Sequence, residues 1–306
     1  MLVARDLSRH GKLILTGVDR ARFLQGMVTN EVKALRPGEG CHACMLTIKG
    51  KLLGDLRIYI DPEALLLEMD PPATVKIRDA LSRHIIMDDV VIEDRTESLG
   101  ELGVWGEGAR EAVARILGPL PDLPQFGHLT REGVRVAAAH DLGRDGFRLF
   151  GELPAELSEL MAKLGLPLLT DDEAEVLRVE AGEPRYGVDM GEDHLPIESR
   201  LDAAISFSKG CYLGQEVIVR ATQQGRINRR LMGLKLAGGE AIAPGTKLGH
   251  PSRAEAGAIT SSVVSPRFGS IALGYVHRTV FQPGTELVAH AEKGDRAAVV
   301  VELPFA

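Results

Sequence analysis

The densest run of reactive and conformationally permissive residues is Lys209-Gly210-Cys211-Tyr212-Leu213-Gly214-Gln215-Glu216. Thiolate is the reactive form of cysteine, and a nearby cation lowers the thiol pKa. Lys209 stands two residues before Cys211, so the pair reads as a candidate reactive site. Gly210 and Gly214 permit a sharp turn and close approach of a ligand to the backbone. Residues 209–235 hold Lys209, Arg220, Arg226, Arg229, Arg230 and Lys235 against Glu216, a local net of +5, while the remainder carries −12. A basic island on an acidic chain suits a small anionic ligand better than a long polyanion. The bland alternative is an inert buried thiol beside a solvated basic strand.

Other clusters carry less. Cys41-His42-Ala43-Cys44 is a C-x2-C pair. Zinc and iron–sulfur sites normally need four ligands, and no second such pair exists. The pair opens an expected strand, where residues i and i+3 point to opposite faces. Trp105-Gly106-Glu107-Gly108-Ala109 lacks the third glycine of a dinucleotide fingerprint and reads as a strand–helix turn. Met87-Asp88-Asp89 and Glu93-Asp94 read as a solvated acidic face. No metal site is expected.

The elements that must position these residues follow from periodicity. Lys12–Val18 reads as a strand. Asp19 is placed to cap a helix over Arg20–Val32 by accepting orphan backbone N–H groups. Cys41–Ile48 and Leu52–Ile60 read as strands across a Lys49-Gly50-Lys51 turn, followed by a strand over Ala64–Met69. Pro71-Pro72 opens a helix to about Ile86, and Val90–Glu93 is again extended. Residues 99–165 repeat the scheme: a strand, a helix over Glu107–Leu117, strands near Val134–Ala138 and Gly146–Phe150, and a helix over Pro154–Leu164. Asp171-Asp172 caps a helix over Glu173–Ala181. From Leu231 onward short strands recur with Gly and Pro punctuation, the pattern of a small barrel or sandwich. The fold class is α+β, with expected segments 1–95, 96–237 and 238–306.

The 306 residues are 44% hydrophobic and 26% charged, ordinary for a globular chain of two or three domains. No apolar run approaches the length of a membrane-spanning helix, and the first residues lack the apolar stretch of a signal peptide. Three cysteines exclude a disulfide scaffold and point to a reducing cytoplasm. A net charge of −7 argues against direct nucleic-acid binding.

The stretch KGCYLGQEVIVRA resembles the hallmark K-G-C-(Y/F)-x-G-Q-E of the YgfZ family of folate-binding proteins, a branch of the glycine-cleavage T-protein (aminomethyltransferase) superfamily. The resemblance runs along most of the chain. Phe23-Leu24-Gln25-Gly26 and Thr29-Asn30-Glu31-Val32 resemble the early superfamily helix. Gly50-Lys51-Leu52-Leu53-Gly54-Asp55-Leu56 resembles the T-protein stretch G-G-(I/V)-(I/L)-D-D-L, with Gly54 in place of the first Asp. Arg178-Val179-Glu180-Ala181, Tyr186-Gly187-Val188-Asp189 and Pro196-Ile197-Glu198 resemble R-L-E-A, Y-G-x-D and P-x-E, and 257–274 resembles the barrel segment.

The resemblance implies two related α+β domains around a central folate pocket and a C-terminal β-barrel. It implies tetrahydrofolate or a one-carbon derivative as cofactor. By the same resemblance Asp55 would face the reactive end, Tyr59 would lie near it, and Glu180 would pair with the pterin's amino-pyrimidine edge. Tyr186, Gly210, Tyr212, Gly214, Gln215, Glu216 and Arg220 complete the implied binding set, with Cys211 and Lys209 as the reactive pair. T-proteins have no cysteine at the position of Cys211. The YgfZ branch implies support for maturation or repair of iron–sulfur client enzymes, including those that methylthiolate tRNA. A T-protein-type one-carbon transferase and a non-catalytic folate-gated adaptor are the alternatives.

Overall fold

The computed structural model describes residues 1–152, 155–223 and 227–306. The chain divides into two compact units, residues 1–170 with 203–215, and residues 171–202 with 216–306.

In chain order the first unit contains β1 (Val3–Asp6), β2 (Gly11–Thr16), α1 (Arg20–Met27), β3 (Gly40–Leu46), β4 (Leu52–Ile60), β5 (Leu65–Met69), α2 (Thr74–His84) and β6 (Val91–Asp94). It continues with β7 (Leu99–Trp105), α3 (Ala109–Leu117), β8 (His128–Arg131), β9 (Val134–Asp141), β10 (Arg144–Glu152) and α4 (Ala155–Leu164). Two five-stranded sheets result, ordered β3-β4-β5-β2-β6 and β1-β7-β10-β9-β8. Neighbouring strands in both are antiparallel. The first strand of the chain thus completes the second sheet, pairing Val3 with Trp105.

Strand β4 shows why its sequence forms a two-sided layer. Leu52, Leu56 and Ile58 are fully buried, while Leu53, Asp55 and Arg57 between them are half-buried. That is the period of two that a strand imposes. Tyr59 and Leu66 on one sheet pack against Ala137 and Phe150 on the other. Beside this apolar patch lies a buried ionic layer. Arg148 contacts Glu101 at 2.7 Å, Asp141 at 2.8 Å and Glu68 at 3.1 Å. Arg57 reaches Asp141 at 3.0 Å and Glu68 at 3.1 Å. Opposite charges placed this closely offset each other's desolvation only in one register.

In the second unit α5 (Asp171–Ala181) and α6 (Gln215–Gln223) accompany β11 (Arg229–Leu236), β12 (Lys247–His250), β13 (Arg253–Ser265), β14 (Gly269–His277), β15 (Glu286–Ala291) and β16 (Gly294–Val301). The six strands close as a barrel in the order β11-β14-β13-β12-β15-β16. Closure removes exposed sheet edges. Leu234, Leu248, Ile259, Val276 and Val300 belong to one buried cluster. Leu231, Ile271, Leu273 and Tyr275 gather with Val179 of α5 in another.

Several local expectations change. Helix α1 ends at Met27, not Val32, because Val28 is extended and bridges Met45. Asp19 makes no side-chain cap. Its carboxylate instead accepts from Arg22 Nε at 3.2 Å and from the Asp89 amide at 3.0 Å. The helix expected over 107–117 begins at Ala109, because Gly108 is left-handed at φ +86°. Pro154, expected to open α4, lies outside the described residues.

Candidate functional site

The KGCYLGQ segment closes the first unit and is stitched to the end of α1. Lys209 is buried, and its ammonium donates to three carbonyl oxygens, Gln25 and Val28 at 2.7 Å and Asn30 at 2.8 Å. A helix end leaves carbonyls without partners, and a cation there also complements the helix dipole. Thr29 Oγ1 donates to the Ala204 carbonyl at 2.6 Å and accepts from the Cys44 amide at 2.7 Å. The Leu213 amide donates to the Gly26 carbonyl at 3.1 Å. The Tyr212 ring is buried, with Lys209 Nζ 5.3 Å from its centroid, and burial pushes its hydroxyl up to about 12.

The far end of the segment rests on the β3–β4 turn. Gly214 has φ +82°, and a Cβ there would lie 2.5 Å from the Thr47 carbonyl oxygen. No side chain fits that approach. Gly210 has open space at its Cβ position. Between these anchors Cys211 is exposed.

Lys209 therefore has a defined set of partners. Its charge acts on Cys41: burial pushes that thiol up to about 12, and Lys209 pulls against the rise. Burial also lowers Lys209 itself to about 8. Cys44 is fully buried and its thiol is driven up by burial, with Asp55 adding to the effect. Cys41 and Cys44 lie three apart on β3, on opposite faces.

Asp55 sits on β4 opposite Cys44. Its side chain is 12% exposed, and Oδ2 lies 3.0 Å from His42 Nε2. Oδ1 has no partner among the described residues. Gly54 precedes it for a steric reason: a Cβ there would lie 2.6 Å from Ile77 Cδ1 and 2.9 Å from Ala73 Cβ. Tyr59 is fully buried, its ring edge-on to His128 and to Phe150, both at 5.5 Å. A ligand would reach that ring only after its cover moved.

In the second unit Glu180 is buried on α5, where Oε1 accepts from Ser265 Oγ at 2.6 Å and Oε2 lies 3.4 Å from Arg267. Tyr186 is buried and bridges Met190. Asp189, from the Y-G-x-D stretch, accepts from Thr260 at 2.5 Å, Ser261 at 2.7 Å and Arg178 at 2.6 Å. Two adjacent hydroxyls reach one carboxylate because β13 shifts register between Ile259 and Ser261. Glu216 is spent on Arg220 at 2.5 Å, one turn along α6. Arg229 pairs with Glu198 and Arg230 with Asp202, so three of the island's arginines, Arg220, Arg229 and Arg230, meet carboxylates within the unit. Arg226 lies outside the described residues.

His10, Glu68 and Glu101 bring one ligand atom each within 4.8 Å of one another. Arg148 already places its guanidinium against both carboxylates, filling the cation's position. Periodicity could not have revealed the contact of His42 with Asp55, which depends on the β3–β4 register.

The two α+β sheets and the closed six-stranded barrel define a T-protein fold. The glycine cleavage aminomethyltransferase T of Bartonella henselae superposes with a TM-score of 0.90, covering 100% of this chain and 86% of that one at 20% identity. The GCVT N-terminal domain family matches residues 3–142, and the glycine cleavage T-protein C-terminal barrel domain family matches residues 229–306. Both regions of the chain are thus similar to the corresponding domains of glycine-cleavage T-proteins. Its relatives include aminomethyltransferases from Prochlorococcus marinus MIT 9303, 29% identical over 98% of this chain and 85% of that protein. The aminomethyltransferase of Thermosynechococcus vestitus is also 29% identical, over 98% and 83% of the two chains.

Proposed function

We propose that this protein binds tetrahydrofolate or a one-carbon derivative and acts as a one-carbon transferase of the T-protein type. The observation that carries the reading is the near end-to-end similarity to aminomethyltransferases, and the motif resemblance assigns Asp55 on β4 to the folate's reactive end. In this reading folate supplies the nitrogen that carries the one-carbon group. Asp55 Oδ1, without a partner among the described residues, would accept from, or exchange a proton with, a ring nitrogen. Glu180 is assigned to the donor-rich pterin edge; Ser265 holds its carboxylate within the barrel unit. The remaining assignments to Tyr59, Tyr186 and residues 210–220, the segments 1–95, 96–237 and 238–306, and a cytoplasmic site of action belong to the same proposal. No helix among the described residues is long and apolar enough to cross a membrane.

The test supplies lipoyl-bound or N-methyl donors with tetrahydrofolate and measures methylene- or methyl-tetrahydrofolate release. Release that disappears in Asp55→Asn supports the transferase; no turnover with any donor refutes it.

One observation favours a second reading. Cys211 is the exposed thiol, in a K-G-C-Y-x-G-Q-E segment like that of the YgfZ branch. On that reading the protein supports iron–sulfur client enzymes, and the thiol is its working group. Methylthiolation of tRNA in a deletion strain, complemented with wild type or Cys211→Ala, separates the two. Rescue by wild type alone supports the iron–sulfur role, and unchanged methylthiolation on deletion removes it for this client class.

A further inference from the structure

We infer that His42 is a positioning residue for Asp55, holding one carboxylate oxygen so that the other is presented to the ligand. The inference deepens the proposed function and rests on its assignment of Asp55. The geometry is a diagonal cross-strand contact. On the paired strands Cys44 stands opposite Asp55 and His42 opposite Arg57. His42 and Asp55 are thus neighbours on one face of the sheet. His42 Nε2 lies 3.0 Å from Asp55 Oδ2, with side chains 23% and 12% exposed.

A carboxylate accepts only, so the proton in this contact belongs to His42 Nε2. That fixes the neutral ring in the Nε2–H tautomer. The Phe126 ring lies tilted by 39° beside the imidazole, with ring centroids 6.3 Å apart. The Asn30 side chain donates to the His42 carbonyl at 2.8 Å and steadies the strand at that point. Arg57, Asp70 and Cys44 also feel the Asp55 charge. Among the described residues, the His42 contact is the hydrogen bond to this carboxylate. A side chain with two accessible rotamers binds a ligand nitrogen less well than one held in the productive one. The C-x2-C run thereby has a use for its histidine.

The experiment measures the Kd for tetrahydrofolate in wild type, Asp55→Asn, His42→Ala and His42→Gln, each checked by thermal melting. In parallel, nitrogen-15 NMR of the ligand-free protein reads the His42 tautomer. The inference expects His42→Ala to weaken binding about tenfold, in the range by which supporting contacts commonly act. It expects His42→Gln, whose amide can replace the Nε2–H donor, to recover most of that loss. It also expects the Nε2–H tautomer in wild type. Wild-type binding by His42→Ala while Asp55→Asn is weakened overturns the inference and leaves the Asp55 assignment standing. An Nδ1–H tautomer also overturns it. Undiminished binding by Asp55→Asn, or no binding by wild type, overturns the assignment and the inference together.

Discussion

Lys209 Nζ lies 2.7 Å from the carbonyl oxygen of Val28, the residue at which α1 stops being a helix. The lysine of the KGC segment thus closes a helix end, and its charge is directed into the protein through three carbonyls. Lys209→Met keeps the length and removes all three donors. Leaving buried acceptors unmet costs about 1–3 kcal/mol. Urea unfolding is expected to show a loss of that size. Limited proteolysis is expected to cut near residue 210 faster than in wild type. Wild-type stability would show that the three contacts contribute nothing net.

Thiol chemistry follows burial. Cys211 is exposed, whereas Cys41 and Cys44 are buried with thiols held well above the usual range. Alkylation needs an accessible thiolate. Iodoacetamide at pH 8 is expected to add one carbamidomethyl group to the native protein, at Cys211, and three after unfolding in urea. Peptide mass spectrometry reads both the number and the position. Native modification at Cys41 would contradict the burial of β3.

Gly214 is the second anchor of the same segment. Gly214→Ala places a methyl group against the Thr47 carbonyl in a left-handed conformation. Alanine at positive φ destabilises by more than about 1 kcal/mol. The expected outcome is a lower melting temperature together with faster alkylation of Cys211, as the segment lifts from the β3–β4 turn. A melting temperature equal to wild type would show that the turn yields freely.

The acid range reports the ionic layer between the sheets. Burial pushes Asp141 up, but Arg148 and Arg57 outweigh it and hold the carboxyl below its ordinary value. A depressed carboxyl binds its proton less readily folded than unfolded. Its stabilisation is therefore complete above the unfolded pKa, about 4, and is lost as pH falls below it. Asp141→Asn is expected to be less stable at pH 7, by about 3–5 kcal/mol for a broken buried pair. It is also expected to lose less further stability than wild type between pH 4 and pH 2. Parallel pH–stability curves for the two proteins would rule this out.

The sequence made the architecture legible where periodicity and punctuation agree. Leu52–Ile60 and Gly50 mark β4 and its turn, and the Gly-punctuated strands after Leu231 mark the barrel. The KGCYLGQE run was legible as a motif, but the direction of Lys209 was not, because its partners are carbonyls about 180 residues away. Asp19 has the type of a helix cap, yet the Asp89 amide and Arg22 compete for its carboxylate. The early end of α1 depends on the bridge from Val28 to Met45, which no local pattern encodes. The pairing of His42 with Asp55 depends on register, and the partnering of Arg229 and Arg230 on distant acids, so neither followed from spacing.

Gly54 tests whether the departure from the T-protein D-D pair is a steric adaptation. The Gly54→Asp change restores the pattern but drives a Cβ into Ile77 and Ala73, whose side chains pack tightly at that point. Overpacking of this kind costs about 1–3 kcal/mol, and a carboxylate at a buried position without a partner adds to it. Chemical denaturation is expected to show the single variant destabilised. Ile77→Ala creates a cavity and is destabilising alone. Combined with Gly54→Asp it is expected to cost less than the two changes added separately, because the shortened side chain leaves room for the new one. Strict additivity would show that Ile77 is not what excludes a side chain at position 54, and that helix α2 accommodates the change by moving.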